Sequence, residues 1–207
     1  MTFLKFKRTI DILLSLSSMI ILSIVILILV LVIKVDSKGP ILFRQKRVGL
    51  NKNYYYILKF RTMKIDTPSE MPTHLLTDPD QYITRVGKFL RKTSLDELPQ
   101  LWNIFVGQMS FVGPRPALWN QYDLIFERDK YGANDIKPGL TGWAQINGRD
   151  ELPIEIKAKL DGEYVENMGA KMDIKCFLLT FKTVLKSEGV VEGRVQSKGN
   201  ARKNTSL

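Results

Sequence analysis

Cysteine and histidine are almost missing from this chain: Cys176 is the only cysteine and His74 the only histidine in 207 residues. One thiol cannot close an internal disulfide or build a multi-cysteine zinc site, and it suits a reducing compartment. One imidazole cannot make a di-histidine metal site. His74 also lies in a polar, proline-bearing stretch, TPSEMPTHLLTDPD, that reads as a solvated loop. Acid–base chemistry therefore falls to carboxylates, lysines or tyrosines. Acids are in short supply as well, with 21 Asp and Glu against 31 Lys and Arg for a formal charge of +10. That surplus calls for an anionic partner, whether nucleic acid, acidic lipid or a phosphorylated substrate, and does not choose among them. The length suits one compact domain with an accessory segment and is too short for two large domains. No internal repeat is visible.

Charge is wholly absent from residues 12 to 33, ILLSLSSMIILSIVILILVLVI, and so is proline. A helix rising about 1.5 Å per residue over this run is long enough for a hydrocarbon core of about 30 Å. A signal peptide also begins with basic residues such as Lys5, Lys7 and Arg8, but here the apolar run is too long and no small-residue cleavage site follows. Basic residues continue beyond the run at Lys34, Lys38, Arg44, Lys46 and Arg47. Holding both flanks in the cytoplasm satisfies the positive-inside rule only if the helix enters, bends and leaves by the same face. We therefore expect a re-entrant helix in preference to a spanning one. Ser23, near the middle, and Ser15, Ser17 and Ser18, nearer the start, carry hydroxyls that can bond back to the previous turn and bend it.

Beyond the run, ILFRQKRV and YYYILKFRTM alternate apolar and polar residues around GLNKN, which predicts a β-hairpin. QYITRVGKFLRK places Ile83, Val86, Phe89 and Leu90 on one helical face with Arg85, Lys88, Arg91 and Lys92 around it, a basic amphipathic helix suited either to a core or to a membrane surface. ALWNQYDLIFERDKYG predicts a helix ending near Gly132, and IKPGLTGWAQINGRD a glycine-rich loop able to bring N–H groups to phosphate. ELPIEIKAKLDGEYVENM and MDIKCFLLTFKTVLKSEG predict two more amphipathic helices. The second closes at Gly189 and directs Ile174, Phe177, Leu178 and Phe181 to the core. The tail after Val191 is polar, basic and expected to be disordered.

The stretch SLDELPQLWN, residues 94 to 103, sets two adjacent acids in this basic chain. Ser94 and Glu97 have capping-box spacing, but that register puts Pro99 in the second turn of the helix, where its ring crowds the preceding turn. With Asp96 as N-cap, Pro99 falls in the first turn, where no N–H partner is needed. We favour the second register. It sets Asp96 at the positive end of the helix dipole, favouring the ionised form, and leaves Glu97 exposed at the same mouth. Such an acid can hold a metal or attack phosphorus.

KFRTM (59 to 63), SLDELPQLWN, MSFVGPRP (109 to 116) and KPGLTGWAQINGR (137 to 149) follow one another behind a single N-terminal hydrophobic insert. This order closely resembles the bacterial sugar transferase family, the monotopic polyprenyl-phosphate phosphoglycosyl transferases, from about Lys7 to about Gly189. The resemblance implies transfer of a sugar 1-phosphate from a UDP-sugar to a polyprenyl phosphate such as undecaprenyl phosphate, with release of UMP, as the first membrane step of capsule, exopolysaccharide or glycoconjugate synthesis. It implies that Asp96 is the nucleophile of a covalent phosphosugar intermediate, that Glu97 assists in positioning and proton handling, and that Mg²⁺ is used.

Donor and acceptor are both anionic, so cations must offset the carboxylates. Mg²⁺ takes one or two protein carboxylates plus phosphate oxygens, which makes Asp96 and Glu97 its candidate ligands. Lys59, Arg61, Arg91 and Arg115 are the candidate phosphate-binding residues. Arg115 is stiffened by the prolines on either side, and alternation in a strand aims Lys59 and Arg61 to one side. The family's usual Ser-Pro helix break reads Ser23-Ile24 here.

The expected chain is α/β, mostly α. A hydrophobic re-entrant membrane helix with its basic flank occupies residues 1–35, a cytoplasmic catalytic domain 36–190 and a basic tail 191–207. The hairpin and basic amphipathic surface helices belong to the small globular catalytic domain, on the cytoplasmic face of a bacterial membrane. A membrane-tethered nucleic-acid-binding protein or a scaffold is the alternative. The first lacks any helix-turn-helix, zinc-finger or stacking-sheet signature, and the second leaves the motif blocks unexplained, so no nucleic-acid partner is expected. The sugar, the pathway and the oligomeric state, a homo-oligomer included, are left open.

Overall fold

The computed structural model describes residues 2–67, 81–148 and 152–186. His74, Arg149, Gly189 and the tail from 191 onward lie outside the described residues. Helix α1 (Thr2–Ile21) and helix α2 (Ser23–Asp36) meet at Leu22 with a bend of 62°. Among the described residues no single helix is both long and apolar enough to cross a membrane; the bent pair is, by length and composition. The break falls at Leu22, and Ser23 is the first residue of the second helix. The serine hydroxyls that bond back lie earlier, Ser15 to the Asp11 carbonyl at 2.6 Å and Ser17 to the Leu14 carbonyl at 3.1 Å.

One face of α1 is polar and inward, following the helical spacing of Lys7, Arg8, Asp11 and Ser15. Lys7 Nζ pairs with Asp173 Oδ2 at 2.5 Å. Asp11 Oδ1 accepts from Ser110 Oγ at 3.0 Å and from the Phe111 N–H at 3.1 Å. The guanidinium of Arg8 donates to the carbonyls of Ile104 and Phe105, each at 2.6 Å. Leu13, Leu16, Ile20 and Ile21 face outward, as do Ile24, Leu27, Leu31 and Val35 of α2. Leu29 and Ile33 of α2 turn inward onto Phe60 and Leu90.

The hairpin forms as its alternation predicts. Strand β1 (Leu42–Val48) pairs antiparallel with β2 (Tyr54–Phe60), from Leu42 opposite Phe60 to Val48 opposite Tyr54. A short 3₁₀ turn over Leu50–Lys52 joins them, with Asn51 and Lys52 at φ of 52° and 60°. Helix α3 (Arg85–Thr93) starts at Thr84, whose hydroxyl accepts from the Gly87 N–H at 2.9 Å. Ile83, expected on the face of this helix, instead bridges to Met63. Leu90 is fully buried while Phe89 is exposed. Helix α4 (Gln100–Phe105) leads into β3 (Ser110–Val112), which runs parallel to β4 (Gly139–Thr141).

Helix α5 (Tyr122–Asp129) begins later than the expected Ala117. Residues 117 and 118 are drawn into the hairpin edge: the Val48 N–H donates to the Ala117 carbonyl at 3.0 Å, and Arg47 bridges Leu118. Tertiary pairing here overrides a modest helical preference. Helices α6 (Trp143–Ile146), α7 (Ile154–Glu166) and α8 (Ala170–Lys186) complete the chain. The expectation that Ile174, Phe177 and Leu178 are core is wrong. All three are exposed, because α8 turns Cys176 and Thr180 to the body, and 174, 177 and 178 fall on the opposite side. The side chain of Phe181 is outside the description. Among the described residues the chain is mostly helical, with two small two-stranded sheets.

Candidate active site

The two acids sit between helices, and neither anticipated capping register is realised. Ser94 closes α3 in a left-handed conformation, φ 57°, its N–H directed to the carbonyls of Leu90 and Arg91. Ser94 also occupies the N-cap position of the turn that follows, but its side chain makes no capping hydrogen bond there. Leu95–Glu97 form a 3₁₀ turn, and Pro99 takes the N-cap position of α4, where its missing N–H costs nothing. Asp96 is therefore not an N-cap. It is held in the turn by its neighbours, and left-handed backbone at a non-glycine residue beside a reactive group is a recurrent mark of functional sites.

Burial reverses the expected titration of Asp96. It is only 8% exposed, and loss of water pushes its carboxyl above the ordinary carboxylate range. Lys59 opposes that rise, Glu97 adds to it, and Arg91 and Arg115 pull it back. Lys59 Nζ lies 3.9 Å from Asp96 Oδ2 and donates to Glu97 Oε1 at 2.7 Å. Arg115 Nη2 is 3.6 Å from the same Glu97 oxygen. Asp96 accepts no hydrogen bond from the described residues, so its oxygens keep their lone pairs for a ligand.

Strand and helix are locked together by Asn103. Its Oδ1 accepts from the Leu58 N–H at 3.0 Å, and its Nδ2 donates to the Tyr56 carbonyl at 2.9 Å and to Gln108 Oε1 at 2.7 Å. This fixes Lys59 against the turn that begins the helix. Asn103 lies within a motif block, yet its role depends on partners far away in sequence, which spacing cannot reveal.

The structure brings Lys59, Asp96, Glu97 and Arg115 together. Arg91 is close enough to act on Asp96 electrostatically, and its Nε donates to Thr62 Oγ1 at 3.0 Å. Arg61 is different. It follows the last residue of β2, and its buried guanidinium donates to the Lys38 carbonyl, to the Ser37 carbonyl at 2.7 Å and to Ser37 Oγ at 3.0 Å. It thus caps the C-terminal end of α2, where carbonyls lack helical partners, and, contrary to the expectation that it binds phosphate, Arg61 is not among the cations gathered at Asp96.

Arg47, Arg128 and Asp161 were not anticipated. Arg128 Nε and Nη2 both donate to Asp161 Oδ2, at 2.8 and 2.6 Å, in a pair that is almost fully buried. Burial raises the Asp161 carboxyl, and the bonded guanidinium opposes the rise. No local pattern marks residues whose partners are remote in sequence.

Among the described residues there is no cluster of three or more Asp, Glu, His or Cys side chains that would cage a metal by itself. The donor set still suits Mg²⁺, which keeps water and substrate oxygens and needs only one or two protein carboxylates. Asp96 and Glu97 provide hard oxygens side by side. The arrangement as a whole is a buried carboxylate with Lys59, Arg91 and Arg115 acting on it, a charge pattern able to receive an oxyanion.

Comparison with known proteins agrees with this chemistry. The family model described as bacterial sugar transferase matches residues 2–187. The chain is 39% identical over 184 residues to the uncharacterized sugar transferase EpsL of Bacillus subtilis (strain 168), covering 89% of each. It is 41% identical over 182 residues to the UDP-glucose:undecaprenyl-phosphate glucose-1-phosphate transferase of Escherichia coli (strain K12), covering 84% of this chain and 39% of that protein. It is 38% identical over 188 residues to the undecaprenyl-phosphate glucose phosphotransferase of Komagataeibacter xylinus, covering 85% of this chain and 35% of that one. The chain thus spans less than half the length of the latter two relatives.

Proposed function

This chain belongs to the bacterial sugar transferase family, and we propose that it transfers a sugar 1-phosphate from a UDP-sugar to undecaprenyl phosphate with release of UMP. The observation that carries the reading is the Asp96 carboxylate, buried, facing cations and accepting no hydrogen bond from the described residues. An oxygen of Asp96 attacks the phosphorus that bears the sugar. The bond from that phosphorus to the bridging oxygen breaks, and UMP leaves with the electron pair. The acyl phosphate left on Asp96 is then attacked by a phosphate oxygen of the lipid, which restores the carboxylate and forms the lipid diphosphosugar. One phosphate monoester is consumed and one released, so the overall exchange needs no net proton. Splitting the transfer in two lets one site receive the soluble donor and then the lipid.

Lys59 and Arg115 place positive charge where the phosphates must come, and Arg91 adds to the field. Glu97 orients Lys59 through its 2.7 Å hydrogen bond. Asp96 and Glu97 would hold Mg²⁺, whose charge offsets that of the diphosphate.

The same reading places the site at the cytoplasmic face of a bacterial membrane, with α1 and α2 forming a re-entrant pair. Two anchors support this. Arg8, near the start of α1, grips the end of α4, and Arg61 grips the end of α2. Both ends of the pair are thus bonded to one body, which favours entry and exit by the same membrane face. The outward apolar residues of the pair, together with Phe89, Trp102, Ile174 and Phe177, supply surface suited to lipid. The resulting product would open capsule, exopolysaccharide or glycoconjugate assembly.

The test is UMP release by the full chain in lipid nanodiscs with UDP-glucose, UDP-galactose and UDP-N-acetylglucosamine as donors. Catalytic release is expected with one of them only when Mg²⁺ and undecaprenyl phosphate are both present. With donor alone, mass spectrometry should find the sugar phosphate on Asp96, and an adduct on another side chain would refute the nucleophile assignment.

A further inference from the structure

Arg115 stands between Pro114 and Pro116, which offer no N–H of their own, so this segment can be secured chiefly through its carbonyls. All of them are taken. The Gly139 N–H donates to the Pro114 carbonyl at 2.8 Å, Arg128 Nη1 to the Arg115 carbonyl at 2.9 Å, and Arg47 Nη1 to the Pro116 carbonyl at 2.9 Å. The donors come from β4, α5 and β1, separate parts of the fold that meet on three consecutive peptide groups.

The approach is close. A Cβ on Gly139 would lie 2.1 Å from the Gly113 nitrogen, a distance only glycine avoids. Arg128 is itself oriented, because Asp161 takes its other two donors. Arg47 Nη2 donates to Gln45 Oε1 at 2.5 Å, so its fork too is held on both sides. A guanidinium that spans two acceptors at fixed geometry locates a backbone far better than a single bond does.

We propose that Arg47 and Arg128 are positioning residues for Arg115, holding the Pro114–Pro116 segment so that the Arg115 side chain meets the donor's diphosphate. This rests on the reading above in which Arg115 serves the phosphates. Displacement of a charged group by about 1 Å costs up to about 100-fold in rate, so loosening either carbonyl should be felt at the chemistry.

The experiment is a double-mutant cycle in nanodiscs, read by kcat/KM for the UDP-sugar that gives fastest UMP release and by the rate of Asp96 adduct formation with donor alone. Arg47→Met and Arg115→Met are made singly and together. Each single variant should lower kcat/KM, Arg47→Met by about 10- to 100-fold, and Arg47→Met should add less than about 3-fold once Arg115 is already Met. Multiplicative losses in the double variant would overturn the proposal, since they mean that Arg47 acts independently of Arg115. Arg115→Met with undiminished adduct formation would instead remove Arg115 from phosphate binding, a distinct failure. Where Arg47→Met does not fold, Arg47→Lys, which keeps the charge but loses the fork that spans the Pro116 carbonyl and Gln45 Oε1, is read through the same cycle with the same two outcomes.

Discussion

Asp96 and Asp161 are both buried and both face a cation, with 8% and 1% of their surfaces exposed. Asp161 gives one oxygen to two N–H groups of Arg128, at 2.8 and 2.6 Å, and so joins α5 to α7. The cation at Asp96, Lys59, stays 3.9 Å away and bonds to Glu97 instead. Burial raises both carboxyls, but only Asp161 has a bonded guanidinium to offset it. A lone pair tied to a donor cannot attack phosphorus. The pair at Asp161 serves the frame, whereas the Asp96 carboxyl has no bonded guanidinium, which suits the nucleophile we propose.

Asparagine at either position breaks this comparison most sharply. Asp96→Asn should reduce UMP release by about 10,000-fold or more, since an amide cannot form the acyl phosphate. Asp161→Asn should act on the fold, lowering stability by about 3–5 kcal/mol by stranding the buried Arg128. Thermal unfolding in nanodiscs measures this. Replacing both partners, Arg128→Met with Asp161→Leu, should recover much of the stability. Activity should not recover with it, because the Arg115 carbonyl has still lost its donor.

A subtler change comes from Lys59→Met. Burial holds Asp96 above the ordinary carboxylate range and Lys59 pulls it down, so losing the lysine leaves the carboxyl higher still. Adduct formation requires the ionised form, and its acid limb should move to higher pH. Glu97→Gln removes a like charge and should move the limb to lower pH. A pH–rate series on single turnover distinguishes the two shifts.

The smallest effect concerns Asp96→Asn and stability. A carboxyl raised by folding favours the protonated form in the native state, so its ionisation destabilises the fold as pH rises above the unfolded value. Wild type and variant should unfold at similar temperatures in acid. At neutral pH the variant should be the more stable, with Tm higher by about 2–4 °C for each kcal/mol relieved. A wild type as stable as the variant at neutral pH would mean that Asp96 carries no such cost.

Local patterns made the hairpin, the helices and the acid pair legible, because alternation, helical spacing and turn residues act over a few neighbours. They misled where tertiary structure intervened. Arg61 was assigned to the side of Lys59 by strand alternation, yet the ladder ends at Phe60 and the next side chain is free to turn to the helix end. Asp96 is not the N-cap its spacing to Pro99 predicts, because spacing does not show that Ser94 closes the helix before it and opens a 3₁₀ turn over Leu95–Glu97. Ile174, Phe177 and Leu178 have the spacing of a core face yet are exposed, because an apolar helix face does not itself say what covers it. Asn103, Arg47 and Arg128 left no trace, since their partners lie 45 and 47, 69, and 33 residues away.

The bend at Leu22 has a physical corollary for biogenesis when both ends of the helix pair are stapled to one body by Arg8 and Arg61. In the re-entrant arrangement we propose, a wedge tethered this way would occupy a single leaflet, and no charged loop would have to be dragged through hydrocarbon. The folded domain would then insert its apolar elbow from one side of the bilayer.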